Sequence, residues 1–239
     1  GDKTQRMVFP SYREIENDIK YNKPDLLFFT FFGPITLTGM RIAKKYKIPY
    51  IYIINSNLKE FIDFYHPRGV RHFLFQKSSS YVEKKLIKNA LHVITVNPRM
   101  NQIPERYNAK SILTLGTLID SSFLEKEKAP SVEEIKSVLY FGRLAIEKKV
   151  DLFINTAKKL PKLNFSIAGD GPLKSMVQSE AANIKNLSYL GWISRKEIIN
   201  TIDSHDMVVM PSSFESFGTV ALEALSRGRI VIIGKNHGI

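Results

Sequence analysis

Two carboxylates, Glu215 and Glu223, flank a Gly218–Thr219 step that reads as the start of a helix. The apolar run Met207-Val208-Val209-Met210 before them reads as a buried strand. One carboxylate therefore falls in a strand-to-helix loop, and the other about one turn into the helix. The first backbone N–H groups of such a helix have no internal partner and point into the same space. They and the helix dipole favour an anion, while the carboxylates accept hydrogen bonds from hydroxyls. A ligand carrying both phosphate and sugar hydroxyls would suit this pair of features. Taken alone, the segment also fits a polar loop followed by an ordinary amphipathic helix.

Two further loops fall between expected strands and helices. Phe141-Gly142-Arg143-Leu144-Ala145-Ile146-Glu147-Lys148 brings two cations, Arg143 and Lys148, to a strand end. In an open α/β sheet such loops lie at the carboxyl edge, where ligands bind. Two cations beside helix N-termini suit a diphosphate; singly, they also fit a surface pair. Ala168-Gly169-Asp170-Gly171-Pro172 also fits a tight turn with proline at the first helical position. It is not a dinucleotide fingerprint, because Lys174 stands where the third glycine would be.

The elements that must carry these loops alternate. In the first half, helical pattern at 11–22, 35–47, 72–90 and 98–107 is interleaved with apolar runs at 25–32, 50–54, 91–96 and 111–115. The uninterrupted run Asp25 to Phe32 suits a parallel strand covered on both faces. In the second half, strands are expected at 137–141, 163–168, 187–190, 206–210 and 229–233, with helices at 147–160, 172–182, 194–203 and 218–227. This alternation implies βα crossovers and parallel sheets. The expected fold class is α/β, with two Rossmann-like domains. Residues 1–120 form a partial first domain, the polar stretch 121–134 a linker, and 135–239 a second domain. Two such domains create a cleft, a common place for ligands.

Composition narrows the chemistry. The 239 residues include no cysteine. Disulfides, thiolate metal sites and a cysteine nucleophile are thereby excluded, and a cytoplasmic setting fits. The five histidines show no zincin spacing, and no Asp-x-Asp pair occurs. No segment approaches the ~20 apolar residues of a membrane-spanning helix. The net charge of +12 is concentrated in residues 41–110, which hold 14 Lys/Arg and 4 Asp/Glu. Such a field attracts nucleic acid, an anionic membrane or phosphorylated acceptors, and also fits a solvated basic surface. Within it, residues 68–88 mix Phe73, Leu74, Phe75 and Tyr81 with Arg71, Lys77, Lys84, Lys85 and Lys88. That pattern suits peripheral attachment to an anionic leaflet, or a core-packing helix with a basic solvated face. No nucleic-acid motif accompanies the charge.

With these residues in place the chain resembles the retaining, nucleotide-sugar-dependent glycosyltransferases of GT-B fold, family 4. The resemblance rests on Phe141-Gly-Arg-Leu with Glu147-Lys148 and Asp151, on Ile167-Ala-Gly-Asp-Gly-Pro172, on Leu190-Gly191-Trp192, and on Pro211-Ser with Glu215-Ser-Phe-Gly218 and Leu222-Glu223-Ala224. Weaker similarity covers Lys23-Pro-Asp-Leu26, Ile48-Pro49, Val93-Ile94-Thr95-Val96 and Ile119-Asp120 with Phe123.

The resemblance implies that the second domain binds a nucleoside-diphosphate sugar, a UDP-sugar more readily than a GDP-sugar, and the first an acceptor. Arg143 and Lys148 would hold the diphosphate. Glu215 with the backbone of Ser216, Phe217, Gly218 and Thr219 would hold the donor sugar, and Glu223 the ribose. Gly191 and Trp192 would lie against the base. Gly142, Gly169 and Gly171 complete the donor loops, and no metal is expected. On the acceptor side, Asn55 stands where the family often has histidine, with His66 nearby in sequence. Lys149 stands where the family usually has glycine, and Leu118 where glycine often precedes the Ile-Asp step. The family's opening strand and glycine-rich loop do not precede residue 1, and further elements would follow residue 239, so the chain reads as the middle of such an enzyme. Rival readings are a non-catalytic nucleotide-sugar-binding protein, a nucleic-acid-binding module and a nucleotide-sugar epimerase.

Overall fold

The computed structural model describes residues 11–30, 32–65, 68–116, 118–213, 215 and 218–235. The chain divides into two compact units, residues 1–117 and 118–239.

In the first unit four parallel strands stand in the order β1 (Leu27–Phe29), β2 (Tyr50–Ile54), β3 (His92–Thr95), β4 (Ile112–Thr114). The helices are α1 (Tyr12–Asn22), α2 (Pro34–Tyr46), α3 (Leu58–Tyr65), α4 (Val70–Asn89) and α5 (Gln102–Arg106). Ser11 caps α1 by accepting from the Glu14 N–H, and Pro34 opens α2 at a position where its missing N–H costs nothing. Each crossover steps one strand further in the same direction, so right-handed connections lay the helices on one face. That face carries Phe29, Tyr50, Tyr52, Ile54 and Val93, all buried. The Tyr50 hydroxyl donates to the Leu86 carbonyl of α4 at 2.8 Å. A Cβ on Gly39 of α2 would lie 2.6 Å from the Phe29 ring, so glycine sets how closely α2 approaches β1.

The opposite face differs from the two-sided cover that its apolar run implied. Phe28 is 58% and Leu113 45% exposed, and Ile51, Ile53 and Ile94 are half-buried. The reason is topological: a sheet that grows in one direction receives helices on one side only. Strand β1 is also shorter than its apolar run, because Gly33 and Pro34 turn the chain into α2.

The second unit has the order β7-β6-β5-β8-β9, all parallel. Its strands are β5 (Ser137–Phe141), β6 (Asn164–Ala168), β7 (Leu187–Gly191), β8 (Met207–Met210) and β9 (Ile230–Ile233). Its helices are α6 (Ser122–Glu125), α7 (Val150–Lys159), α8 (Lys174–Asn183), α9 (Arg195–Asp203) and α10 (Thr219–Ser226). Here both faces are covered. Val138 and Tyr140 of β5 join Phe153, Ile154, Phe165 and Ile167 in one core, while Leu139 faces Phe123, Ile202, Val208 and Ala224 in the other. The order reverses at β5: the chain runs outward to β6 and β7, then returns to place β8 on the other side. The crevice between the ends of β5 and β8 is the topological switch point.

The segment expected as a linker, 121–134, is anchored to the second unit, and the division falls after Thr117 instead. Phe123 fills the core at 1% exposure. Arg227, at 0% exposure, donates to the carbonyls of Phe123, Lys126 and Glu127 and pairs with Asp203 at 2.8 and 2.9 Å. Arg229 donates to the Pro130 carbonyl. A polar, proline-containing stretch is thus held by two buried guanidiniums that satisfy its carbonyls.

Candidate functional site

The site is built at the carboxyl rim of the second sheet. The loops after β5, β6 and β7 are laced together through backbone: the Gly142 N–H donates to the Ala168 carbonyl at 3.0 Å, and the Gly169 N–H to the Gly191 carbonyl at 2.8 Å. Two more bonds, Leu144 N–H to Asp170 carbonyl and Leu173 N–H to Leu144 carbonyl, close the first loop on the second. This packing demands glycine. A Cβ on Gly169 would lie 1.9 Å from the Gly142 oxygen, and one on Gly171 2.5 Å from the Leu144 oxygen. Both glycines also have left-handed φ, 141° and 156°. Their role in this geometry is to let one loop's backbone seat on another's; Gly142 and Gly191 instead border open space.

The loop after β5 ends in a short 3-10 turn, Ile146–Lys148, followed by Lys149 at φ 53°. That is the left-handed conformation glycine adopts without strain, so the lysine found there in place of glycine sits in a costly backbone state. Glu147 is buried at 6% exposure, and its Oε2 has no hydrogen-bond partner among the described residues. Its carbonyl accepts from the Ser213 N–H at 2.8 Å, which ties the loop after β5 to the loop after β8.

Across that tie, Lys148 Nζ and Glu215 Oε2 form an ion pair. Their side chains are 23% and 16% exposed. Arg143 is exposed on the same loop as Lys148, and its carbonyl accepts from the Tyr140 hydroxyl at 2.9 Å. Gly218 (φ 58°) turns the chain into α10, so Thr219 opens that helix at the switch point. Ser216 and Phe217 lie outside the described residues, as does His66 in the first unit.

Glu223 sits on α10, buried at 9% exposure. Burial raises its pKa above the ordinary carboxylate value; Arg195 opposes this and Asp120 adds to it. Arg195 pairs with Asp120 at 3.1 Å, and Asp120 also accepts from the Ser122 N–H and hydroxyl. Asp120 thereby has a lowered pKa, chiefly through Ser122 and then Arg195. Arg195 and Asp120 were not legible as neighbours of Glu223 because they precede it by 28 and 103 positions in the chain. Trp192, just past β7, is 71% exposed. In the first unit, Asn55 follows β2, and its amide donates to the Thr30 carbonyl at 2.7 Å. Among the described residues no three His, Cys, Asp or Glu side chains form a group that could hold a metal ion.

The family model for glycosyl transferases group 1 matches residues 121–239. A sulfoquinovosyl transferase of Arabidopsis thaliana is 24% identical over 94% of this chain and 45% of its own length. A 2-deoxystreptamine N-acetyl-D-glucosaminyltransferase of Niallia circulans is 33% identical over 52% of this chain and 33% of its own. The chain thus spans less than half the length of these relatives. Among solved structures, a sucrose-phosphate synthase from Thermosynechococcus elongatus superposes with TM-score 0.75 at 17% identity, covering 95% of this chain and 60% of its own. Anabaena HepE, solved with UDP and glucose, superposes with TM-score 0.72 at 16% identity, covering 98% of this chain and 66% of its own. The fold is that of the GT-B glycosyltransferases, two parallel α/β units in one chain. Through residues 121–239 the chain belongs to the family of glycosyl transferases group 1.

Proposed function

We propose that this chain serves the transfer of a hexose from a nucleoside-diphosphate sugar to a glycan, lipid or cell-envelope acceptor, with retention at the anomeric carbon, its second unit binding the donor and its first the acceptor. The observation that carries this reading is the meeting of Lys148 and Glu215 at the switch point, beside the start of α10. A cation for a diphosphate and a carboxylate for sugar hydroxyls stand within contact of each other, where open α/β sheets bind ligands. The relatives are named for the transfer of a sugar, and a structural neighbour was solved with UDP and glucose, which supports the same class of donor.

The roles follow from charge. As the anomeric C–O bond breaks, the sugar gains oxocarbenium character and the departing diphosphate gains negative charge. Lys148, Arg143 and the first N–H groups of α10 stabilise that charge more in the transition state than before it. Glu215 accepts hydrogen bonds from the sugar, and Glu223 from the ribose. Arg195 favours the ionised form of Glu223 against the cost of burial. With two cations for the leaving group, we propose that transfer needs no divalent metal; loss of activity on adding a chelator would contradict this.

For the acceptor side we propose contact with an anionic membrane through α4. At ~100° per residue, Val70, Phe73, Leu74, Lys77, Tyr81, Lys84, Lys85 and Lys88 share one stripe about 120° wide. All are exposed, with Val70 at 77% and Leu74 at 60%, while Ser79, Glu83, Leu86 and Ile87 on the far side are buried. Apolar groups enter the interface and cations meet the headgroups. Co-sedimentation with phosphatidylglycerol vesicles at low salt, lost on K84E/K85E/K88E, is the expected outcome; equal pelleting by wild type and variant would remove the proposal.

The donor reading is tested by a thermal-shift panel of UDP, GDP and their sugars against nucleoside monophosphates. A selective rise in melting temperature with a diphosphate is expected, since a ligand of the folded state stabilises it by linkage. Lys148→Met should abolish the rise. No shift with any diphosphate would refute the reading, and binding without transfer would favour a non-catalytic nucleotide-sugar-binding protein.

A further inference from the structure

Lys148 and Glu215 are each other's partners across the crevice, although 67 positions separate them in the chain. Neither side chain is locked in the interior, so the pair can open to a ligand at modest cost. Lys148 cannot give its full charge to a phosphate while it holds a carboxylate. A phosphate that takes Lys148 also leaves Glu215 beside fresh negative charge. What happens next depends on the ligand. A bare nucleoside diphosphate brings no hydrogen-bond donor to the Glu215 carboxylate at that end of the molecule. A nucleoside-diphosphate sugar brings hydroxyl donors to the same place, and they replace the lost ammonium.

We propose that Glu215, through its ion pair with Lys148, sets the preference of this site for nucleoside diphosphates that carry a sugar over those that do not. The inference rests on the donor reading given above and adds a specificity rule to it. The carboxylate competes with phosphate for Lys148 and is compensated only by sugar hydroxyls. Donor is therefore held more tightly than the diphosphate product, which favours product release. Glu215 is here both a sugar contact and a gate on the cation.

Isothermal titration calorimetry tests this on the full chain. The ligands are UDP, GDP, UDP-glucose, UDP-N-acetylglucosamine and GDP-mannose, titrated into wild type, Glu215→Gln and Glu215→Ser. Circular dichroism confirms that each variant is folded. The expected result is that both variants bind the bare diphosphate about threefold to tenfold more tightly than wild type, the span that removal of one partly exposed competing charge supports. They should bind the matching nucleotide sugar no more tightly, so the sugar-to-diphosphate affinity ratio falls. An unchanged or larger ratio in both folded variants overturns the proposal and leaves the donor reading intact. A wild-type chain that binds none of the five ligands overturns the donor reading, and this inference with it.

Discussion

The cation and the carboxylate at the rim were both legible as residues, but their contact was not. Spacing says that Lys148 ends one strand-to-helix loop and Glu215 lies in another; only the reversal of strand order at β5 puts those loops side by side. Lys149 was legible as an oddity, and its φ of 53° gives the oddity a cost. A left-handed lysine loses roughly 1–2 kcal/mol relative to a right-handed one, against about 0.5–1 kcal/mol of extra chain entropy for glycine. Lys149→Gly should therefore raise the unfolding free energy by about 0.5–1 kcal/mol in urea titration. A clear loss of stability would show that the side chain does more than occupy the turn. The opposite experiment suits Gly169, where alanine would drive a Cβ into the Gly142 oxygen. Gly169→Ala should destabilise by several kcal/mol (roughly the upper range for backbone strain) and weaken nucleotide binding, because the two loops must part.

At the scale of elements, α4 contains a second kind of conflict. Glu83 lies on its buried side, with Oε1 unpartnered among the described residues, and burial pushes its pKa from the ordinary 4.5 up to about 7 despite the nearby Arg106. A folded-state pKa above the unfolded one means that the unfolded chain releases the proton first as pH rises. Stability is then fully present below pH 4.5 and declines up to about pH 7, by on the order of 3 kcal/mol. Glu83→Gln should flatten that decline and raise the melting temperature at pH 8, with little change at pH 4. An unchanged pH profile would show that Glu83 is already ionised and paired when folded. The neighbouring helix α3 was not anticipated from the sequence, because its eight residues follow a polar Asn55-Ser56-Asn57 step and supply a single buried side chain, Ile62. The segment 121–134 read as a linker for a similar reason. Its charges and proline masked Phe123, and the guanidiniums that hold its carbonyls come from residues about a hundred positions later. Arg227→Met should cost about 3–5 kcal/mol, since it leaves three carbonyls without their buried donor and Asp203 with Lys126 alone as its charged partner.

At the scale of the molecule, the sequence showed two α/β units because parallel strands covered by helices read as apolar runs alternating with amphipathic ones. It did not show how completely each sheet is covered. The second unit places helices on both faces, while the first leaves Phe28 and Leu113 exposed on a face that its strands alone cannot bury. Run composition does not encode the direction in which a sheet grows; crossover order does. The functional assignment depends on the second unit, where the family match, the switch point and the Lys148–Glu215 pair coincide. A crystal structure of the chain with UDP tests that coincidence most directly. The expected result is diphosphate oxygens within ion-pair distance of Lys148 Nζ, the start of α10 facing them, and ribose hydroxyls on the Glu223 carboxylate. UDP seated elsewhere, with Lys148 still bound to Glu215 and Glu223 untouched, would contradict it.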